Sequence, residues 1–510
     1  LRKKVGSEGI FGCRFTVVES YRNLHFDGIK QNRMNSCTNT FLFVAMSAFA
    51  LPAFCQNEAY VPDPDPLVQQ NLEAWQDLKF GFMMHWGAYS QWGVVESWSL
   101  CSEDQPWCSR NGADYADYVR RYEELPKTFN PVNFDPDKWA AAAWAAGMRY
   151  VVFTTKHHDG FCMFDSKFTG YKITGDVCPF RTHPKADVTR HIFDAFRQKG
   201  FRTGAYFSKP DWHHDDYWAP EWATPNRCNN YDIRKYPQRW QRFEDFTFNQ
   251  IRELMTGYGR VDILWLDGGW VRPDSTITEE VRSWGYDLPK WGQNIDMARI
   301  ARMARERQPG ILIVDRSVHG PFENYRTPEQ QVPGKTLPYP WETCMTMADS
   351  WSYSFSPNYK STRQLVHTLV DIVAKGGNFL LNVAPGPTGE LDAEAYDRLR
   401  ELGEWMSLNG EAIYATRPLA PYKEGKVCLT QKKDGKTIYA IYLAGEEEQQ
   451  LPAKIWLSTL RLPKNARVRL LGTEGDLTWE TVGTGFLVDV PQQWQQQPPC
   501  KHAWVLEIKL

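Results

Sequence analysis

The chemistry legible in this sequence begins with a carboxylate at the end of an apolar run. In VDILWLDGGW, residues 261–265 read as a buried parallel strand interrupted only by Asp262, and the run stops at Asp267, Gly268 and Gly269. Asp267 therefore belongs at the carboxyl end of a strand, which in a parallel α/β barrel is the rim that carries catalytic side chains. A lone D-G-G is otherwise an ordinary turn start, so the assignment leans on the other strands. Each of these ends in polar groups as well: His85 and Trp86; Lys156, His157, His158 and Asp159; Tyr206, Ser208, Asp211 and Trp212; Asp315 and Arg316. The loop after the run at 311–315, SVHGPFENYRTPEQ, adds Glu323 and Glu329. One carboxylate as nucleophile and a second as general acid then base, about 5–5.5 Å apart on neighbouring strand ends, is the equipment for cleaving a glycoside with retention. Asp267 is the nucleophile candidate, and Glu323 and Glu329 are both candidates for the acid/base.

The KHHDG run at 156–160 invites a metal reading. On an extended segment adjacent side chains point to opposite faces, so His157 and His158 are not expected to share an ion. No H-E-x-x-H or third ligand at zinc spacing accompanies them. Their expected role is hydrogen bonding of substrate hydroxyls by neutral imidazoles, with no metal and no other cofactor.

The elements that must position these groups alternate along the chain. After a Pro-Asp linker, VPDPDP at 61–66, strands are expected at 80–85, 150–155, 202–208, 261–265, 311–315 and 379–383. Helices are expected at 138–148, 187–199, 240–255, 295–306 and 363–375, with Gly200, Gly376 and Gly377 as stops. Strands too apolar to keep an open face, each followed by a helix, imply a parallel sheet with helices outside. Six or more such units favour a (β/α)8-like (TIM) barrel over 56–416. From about Arg417 the texture changes: a hairpin signal around Asp434 and Gly435 within 427–443, then short strands such as 468–471 and 504–508. This predicts a C-terminal β-sandwich over 417–510, whose expected role is packing against the barrel. QQWQQQPP at 492–499 reads as a loop.

Five motifs together resemble a known family. FGFMMHWGAYS (80–90), TTKHHDGFCMFDSKFT (154–169), AYFSKPDW (205–212), DILWLDGG (262–269) and GGNFLLNVAPGPTGEL (376–391) are similar, in order, to those of the alpha-L-fucosidases of glycoside hydrolase family 29. The resemblance runs from about Asp77 to Tyr414. It implies a (β/α)8-like barrel with a C-terminal β-sandwich, retention of configuration, no metal, and a fucosylated glycan as substrate. Carried over, it makes Asp267 the nucleophile and Trp265 a wall of the same pocket. It makes His85, His157, His158, Tyr206 and Arg316 the groups that bind fucose. Glu96 and Trp98 stand where the family has an adjacent Glu-Trp pair, here separated by Ser97. Aligning on Arg316 favours Glu329, in TPE, as the acid/base, with Glu323, in ENY, as the alternative.

Composition narrows the class without choosing it. With 59 basic and 61 acidic residues the net charge is only -2, which gives no footprint for a nucleic-acid partner. Twenty-two tryptophans suit the apolar faces of sugars as well as a core. Residues 1–33 read as an upstream extension foreign to the fold, and 34–55, with an apolar core at 40–51, as a signal peptide cleaved near Gln56. That apolar run is too short for a spanning helix. Export is expected, to a periplasm or beyond. Of eleven cysteines, Cys13, Cys37 and Cys55 fall in that leader, and only Cys101 and Cys108 are close enough for a local bridge. Two rivals share these motifs: a transfucosidase, since any hydroxyl can capture a covalent intermediate, and a fucoside-binding protein that has lost turnover.

Overall fold

The computed structural model describes residues 60–102, 108, 110, 114–222, 226–285 and 288–510. The extension expected at 1–33 and the signal segment at 34–55 lie outside them, as do Cys13, Cys37 and Cys55. Among the described residues no helix is long and apolar enough to cross a membrane.

Among the described residues seven parallel strands form the first sheet: β1 (Phe80–Met84), β2 (Tyr150–Lys156), β3 (Arg202–Ser208), β4 (Ile263–Asp267), β5 (Leu312–Asp315), β6 (Glu342–Thr346) and β7 (Asn378–Asn382). They pair in the order β5-β4-β3-β2-β1-β7-β6, all in parallel. The strand read at 261–265 is displaced by two residues, so that Asp267 is its last member. β6 has no counterpart among the expected strands, because Glu342, Thr343 and Thr346 break the apolar run by which the others are recognised.

Among the described residues no eighth strand closes the curled sheet. An irregular segment spans the gap between β5 and β6: Asn324 N–H donates to Ile313 O at 2.8 Å, Glu342 N–H to Arg326 O at 2.8 Å, and Gln330 N–H to Cys344 O at 2.9 Å. The loop that carries both acid/base candidates thus completes the wall, and its backbone donors and acceptors are satisfied by the two free edges.

Side chains alternate across each strand. Met83, Val152, Tyr206, Ile263, Trp265, Val314, Cys344 and Leu380 fill the interior. Phe82, Phe153, Phe207, Leu264, Leu266, Ile313 and Leu381 pack outward beneath the helices, each burial worth about 1.5–3 kcal/mol. Helices Pro136–Ala145, Val188–Gln198, Pro237–Gly257, Met297–Arg307 and Thr362–Ala374 cover that outer face, within two or three residues of their expected limits at nearly every end. Gly200 and Gly376, both at φ +93, let the chain turn back into the sheet where a Cβ would be strained. The Pro-Asp segment at 61–66 is docked rather than free: Asp63 is 3 % exposed and bonds Arg305 and Asn324. Helix Pro66–Leu78, capped by Asp65, then places Trp75 inside the barrel, stacked on Tyr325 at 3.9 Å.

Beyond helix Ala393–Asn409, the C-terminal part is two antiparallel sheets. One is five-stranded, with β8 (Thr416–Glu424), β9 (Val427–Lys432), β10 (Thr437–Leu443), β12 (Arg467–Leu470) and β15 (Ala503–Lys509); the other joins β11 (Lys454–Leu457), β13 (Trp479–Val482) and β14 (Gly485–Asp489). The central strands of the larger sheet are buried on both faces. Leu429, Ala440 and Leu506 meet the small sheet, while Cys428, Tyr439, Ile441 and Val505 join the core under the barrel helices. Trp405 Nε1 donates to Ala503 O at 2.9 Å across that seam. In place of the loop read at 492–499 there is a short helix, Gln492–Gln496. Among the described residues no disulfide is formed, so the local bridge read between Cys101 and Cys108 is not made.

Candidate active site

At the carboxyl ends of the strands lies a cavity of about 670 Å³ whose lining includes Asp267, Arg316, Glu329, Glu96 and the three rim histidines. Its floor follows from the two-residue period: Trp265 and Asp267 share the inner face of β4, and Tyr206 shares that of β3. Two hydrogen bonds hold Asp267, and a histidine stands beside it. Its Oδ1 accepts from Arg316 Nη1 at 3.1 Å, its Oδ2 accepts from the Tyr206 hydroxyl at 2.7 Å, and His158 Nε2 stands 3.8 Å from Oδ2. Burial alone would raise its pKa, but the Arg316 charge, His158 and these hydrogen bonds overcome it and hold the carboxyl well below the usual range. Gly268, at φ +88, turns the chain past Pro210, whose Cδ lies 2.2 Å from where a Cβ would sit.

Arg316 follows β5 directly, its N–H on Leu266 O at 3.1 Å. Its guanidinium lies over the Trp265 ring at 5.1 Å and bonds both Asp267 and Glu329. One planar cation therefore spans two carboxylates. Glu329, 43 % exposed at the side chain, faces the cavity. Glu323 does not line it. That carboxylate is 3 % exposed and accepts from Ser317 N–H at 3.1 Å and His319 Nδ1 at 2.7 Å, underneath the loop. Behind the site, Lys209 and Asp315 form a fully buried ion pair.

His157 and His158 both line the cavity, with ring centres 4.2 Å apart. The expectation that neighbours face opposite ways fails because β2 ends at Lys156; beyond it the chain turns and strand alternation no longer holds. His157, His158 and Asp267 each bring a ligand-capable atom within 4.8 Å of the others, so these three are the residues that would hold a divalent ion. Both Asp267 oxygens already accept hydrogen bonds, and the Arg316 charge opposes a cation there. Burial holds the imidazoles neutral at neutral pH: His85 and His158 are pulled down to about 4, and His157 lies well below the ordinary value.

Glu96, at φ +38 and 1 % exposed, accepts from Ser352 N–H at 2.8 Å. Burial, opposed by that bond, pushes its pKa up to about 8, so it enters the cavity as a neutral acid. Trp98 lines the cavity as well, 5.4 Å from His158, with the Arg227 guanidinium over its ring at 4.9 Å. The intervening Ser97 turns its hydroxyl away, to His157. Sequence reasoning missed Asn382, which holds His85 from the end of β7 and obeys the same rule of polar strand ends. It also missed Arg227, Trp270, Asp349 and Trp351, which line the cavity from irregular segments where no periodicity marks them.

A family model for alpha-L-fucosidase matches residues 48–411, and one for the alpha-L-fucosidase C-terminal domain matches 422–509. The tissue alpha-L-fucosidase of Homo sapiens is 28% identical over 471 residues, covering 88% of this chain and 91% of that protein. An alpha-L-fucosidase of Branchiostoma floridae is 28% identical over 484 residues, covering 90% and 98%. Among solved structures, alpha-L-fucosidase isoenzyme 1 from Paenibacillus thiaminolyticus superposes with a TM-score of 0.70 at 32% identity, over 87% of this chain and 99% of that one. The Thermotoga maritima alpha-fucosidase in complex with fucose gives 0.66 at 26% identity, over 88% and 100%.

Proposed function

The chain belongs to the alpha-L-fucosidase family, glycoside hydrolase family 29, and we propose that it removes terminal alpha-L-fucose from fucosylated oligosaccharides or glycoconjugates by double displacement. Asp267 attacks the anomeric carbon as the glycosidic bond breaks, while Glu329 gives its proton to the departing oxygen. The ester so formed is hydrolysed by water that Glu329, now a base, deprotonates; two inversions give net retention. The observation that carries this reading is the single guanidinium of Arg316 shared by Asp267 and Glu329 within one cavity. One guanidinium holds the two carboxylates as neighbours, and retention needs such a pair about 5–5.5 Å apart. The burial of Glu323 outside the cavity weighs against it as the acid/base.

The remaining lining suits a deoxy sugar. Asp267 is ionised and ready to stabilise positive charge growing on the ring. His85, His157, His158 and the neutral Glu96 offer donors and acceptors to hydroxyls, and the indole faces of the pocket suit the C6 methyl that distinguishes fucose from galactose. A signal-like stretch at 34–55 supports export, to the periplasm in a bacterium or to the medium.

The test is turnover of para-nitrophenyl alpha-L-fucoside and of branched fucosylated oligosaccharides, with the matching galactoside as control. Asp267→Asn should abolish release. Glu329→Gln should lose about 10²–10⁴-fold on substrates with poor leaving groups and be rescued by azide, whereas Glu323→Gln should not be rescued. The first fucose anomer seen by NMR should be alpha. Azide rescue of Glu323→Gln would reverse the acid/base assignment. Fucose binding without release on either substrate class would make the protein a binder, and fucosylated acceptors as main products would make it a transferase. Fractionation of the native cells tests export.

A further inference from the structure

The three cavity histidines do not present the same chemistry, and the groups behind them determine which face each one offers. A neutral imidazole has one N–H and one lone pair, and the partner of the inner nitrogen decides which of them is left for the ligand. Behind His158, Ser208 Oγ lies 2.6 Å from Nδ1 and 2.7 Å from Pro210 O. Pro210 O only accepts, so the one hydroxyl proton goes there, and the contact with His158 is made by an N–H on Nδ1. Nε2 is then a bare acceptor, on the Asp267 side.

Behind His157 the logic runs the other way. Ser97 Oγ lies 2.6 Å from Nδ1 and accepts the Asp159 N–H at 3.0 Å. Ser97 is fully buried, and among the described residues the Nδ1 lone pair is the acceptor its proton has. Nε2 of His157 therefore carries the N–H. Behind His85, Asn382 fixes its amide by donating from Nδ2 to Trp351 O at 2.6 Å, so its Oδ1 accepts from His85 Nδ1 at 2.9 Å. His85, like His158, is left with a lone pair.

We propose that Ser97, Ser208 and Asn382 are positioning residues that lock the cavity histidines in opposite tautomers, so that His157 donates to the sugar while His85 and His158 accept from it. This rests on the reading of the cavity as a fucose site and adds the polarity of each contact. The site then recognises a sugar through one hydroxyl used as an acceptor and two used as donors. Low proton affinity of all three rings keeps the pattern intact at neutral pH. The serine between Glu96 and Trp98 thereby acquires a role that an adjacent Glu-Trp pair would lack.

Neutron diffraction of the deuterated, ligand-free protein at pH 7 reads the tautomers directly. Deuterons are expected on Nε2 of His157 and on Nδ1 of His85 and His158; a deuteron on Nδ1 of His157 or on Nε2 of His158 would overturn the proposal whatever the protein binds. The second arm measures inhibition by L-fucose and by its 2-, 3- and 4-monodeoxy and monofluoro derivatives. Fluorine accepts weakly and cannot donate, so at the position that His157 faces it should bind better than hydrogen, by up to about 5-fold. Ser97→Ala should erase that advantage and Ser97→Thr, which restores a hydroxyl, should keep it. A fluorine advantage at no position, or none that Ser97→Ala erases, counts against the assignment. Failure of L-fucose itself to compete would overturn the fucose reading, while the deuterons still decide the tautomers.

Discussion

The floor of the active site rests on Glu342, and replacing it with glutamine should leave the site standing while removing much of the protein's loss of stability at alkaline pH. Glu342 is fully buried inside the barrel; its Oε2 accepts from the Tyr150 hydroxyl at 2.6 Å and its Oε1 from Trp265 Nε1 at 3.2 Å. Burial outweighs those bonds and the Arg316 charge and pushes its pKa from 4.5 up to about 7. A carboxyl whose pKa is raised on folding holds its proton more tightly in the folded state. Its contribution is therefore fully present below pH 4.5 and is lost as pH rises through 7. At about 1.4 kcal/mol per unit, the swing is roughly 3 kcal/mol by pH 8.5. Glutamine copies the protonated acid: its oxygen accepts from Trp265, its NH2 faces the Tyr150 oxygen, and the Tyr150 proton can turn to Asn378 Oδ1, a buried acceptor with no hydrogen-bond partner among the described residues. Urea denaturation should find Glu342→Gln within about 1 kcal/mol of the parent at pH 5 and more stable by up to roughly 3 kcal/mol at pH 8.5. Its kcat/KM on an aryl fucoside at pH 6 should stay within a few-fold, because Trp265 keeps its anchor. Equal destabilisation at both pH values, by the roughly 1–3 kcal/mol of an orphaned buried donor, would mean that the carboxyl is ionised and that both oxygens are needed, and would refute the reasoning.

Three further outcomes can be checked. His85 and His158, held near 4 against 6.5 when unfolded, contribute stability that is full above pH 6.5 and falls as pH drops toward 4, and kcat/KM should hold until about pH 4; an acid limb near 6.5 that disappears in His85→Gln would contradict this. Glu96→Gln should keep most activity at pH 6 and lose an alkaline inflection near 8, since the carboxyl is neutral below it; a loss of 100-fold or more at pH 6 would show that its charge is used. Gly81→Ala would put a Cβ 2.3 Å from the Tyr150 ring, so chemical denaturation should show a loss of at least about 1–3 kcal/mol, and a neutral result would mean the ring moves freely.

The sequence by itself determined the barrel's strand–helix alternation, the polar rim and most of the residues that line the cavity there. The reason is local: a strand repeats every two residues, so Trp265 and Asp267 had to share a face, and an apolar run that halts at polar groups marks its own carboxyl end. The ordered motifs carried the family because they are those strand ends with their flanks. β6 stayed hidden because Glu342, Thr343 and Thr346 are polar residues satisfied inside a barrel, which no periodicity advertises. Between Glu323 and Glu329 the sequence could only lean to Glu329, by alignment on Arg316, and held no physical reason for the choice. Both are loop carboxylates six positions apart, and only the way their segment bridges β5 and β6 turns one under the loop and the other to Arg316. The same holds for His157 and His158: strand geometry predicts opposite faces, and the turn after Lys156 cancels it. Side-chain direction within a regular element is set by the backbone's own period, whereas in an irregular segment it is set by whichever distant partners satisfy the chain, and these exist only once the barrel has closed.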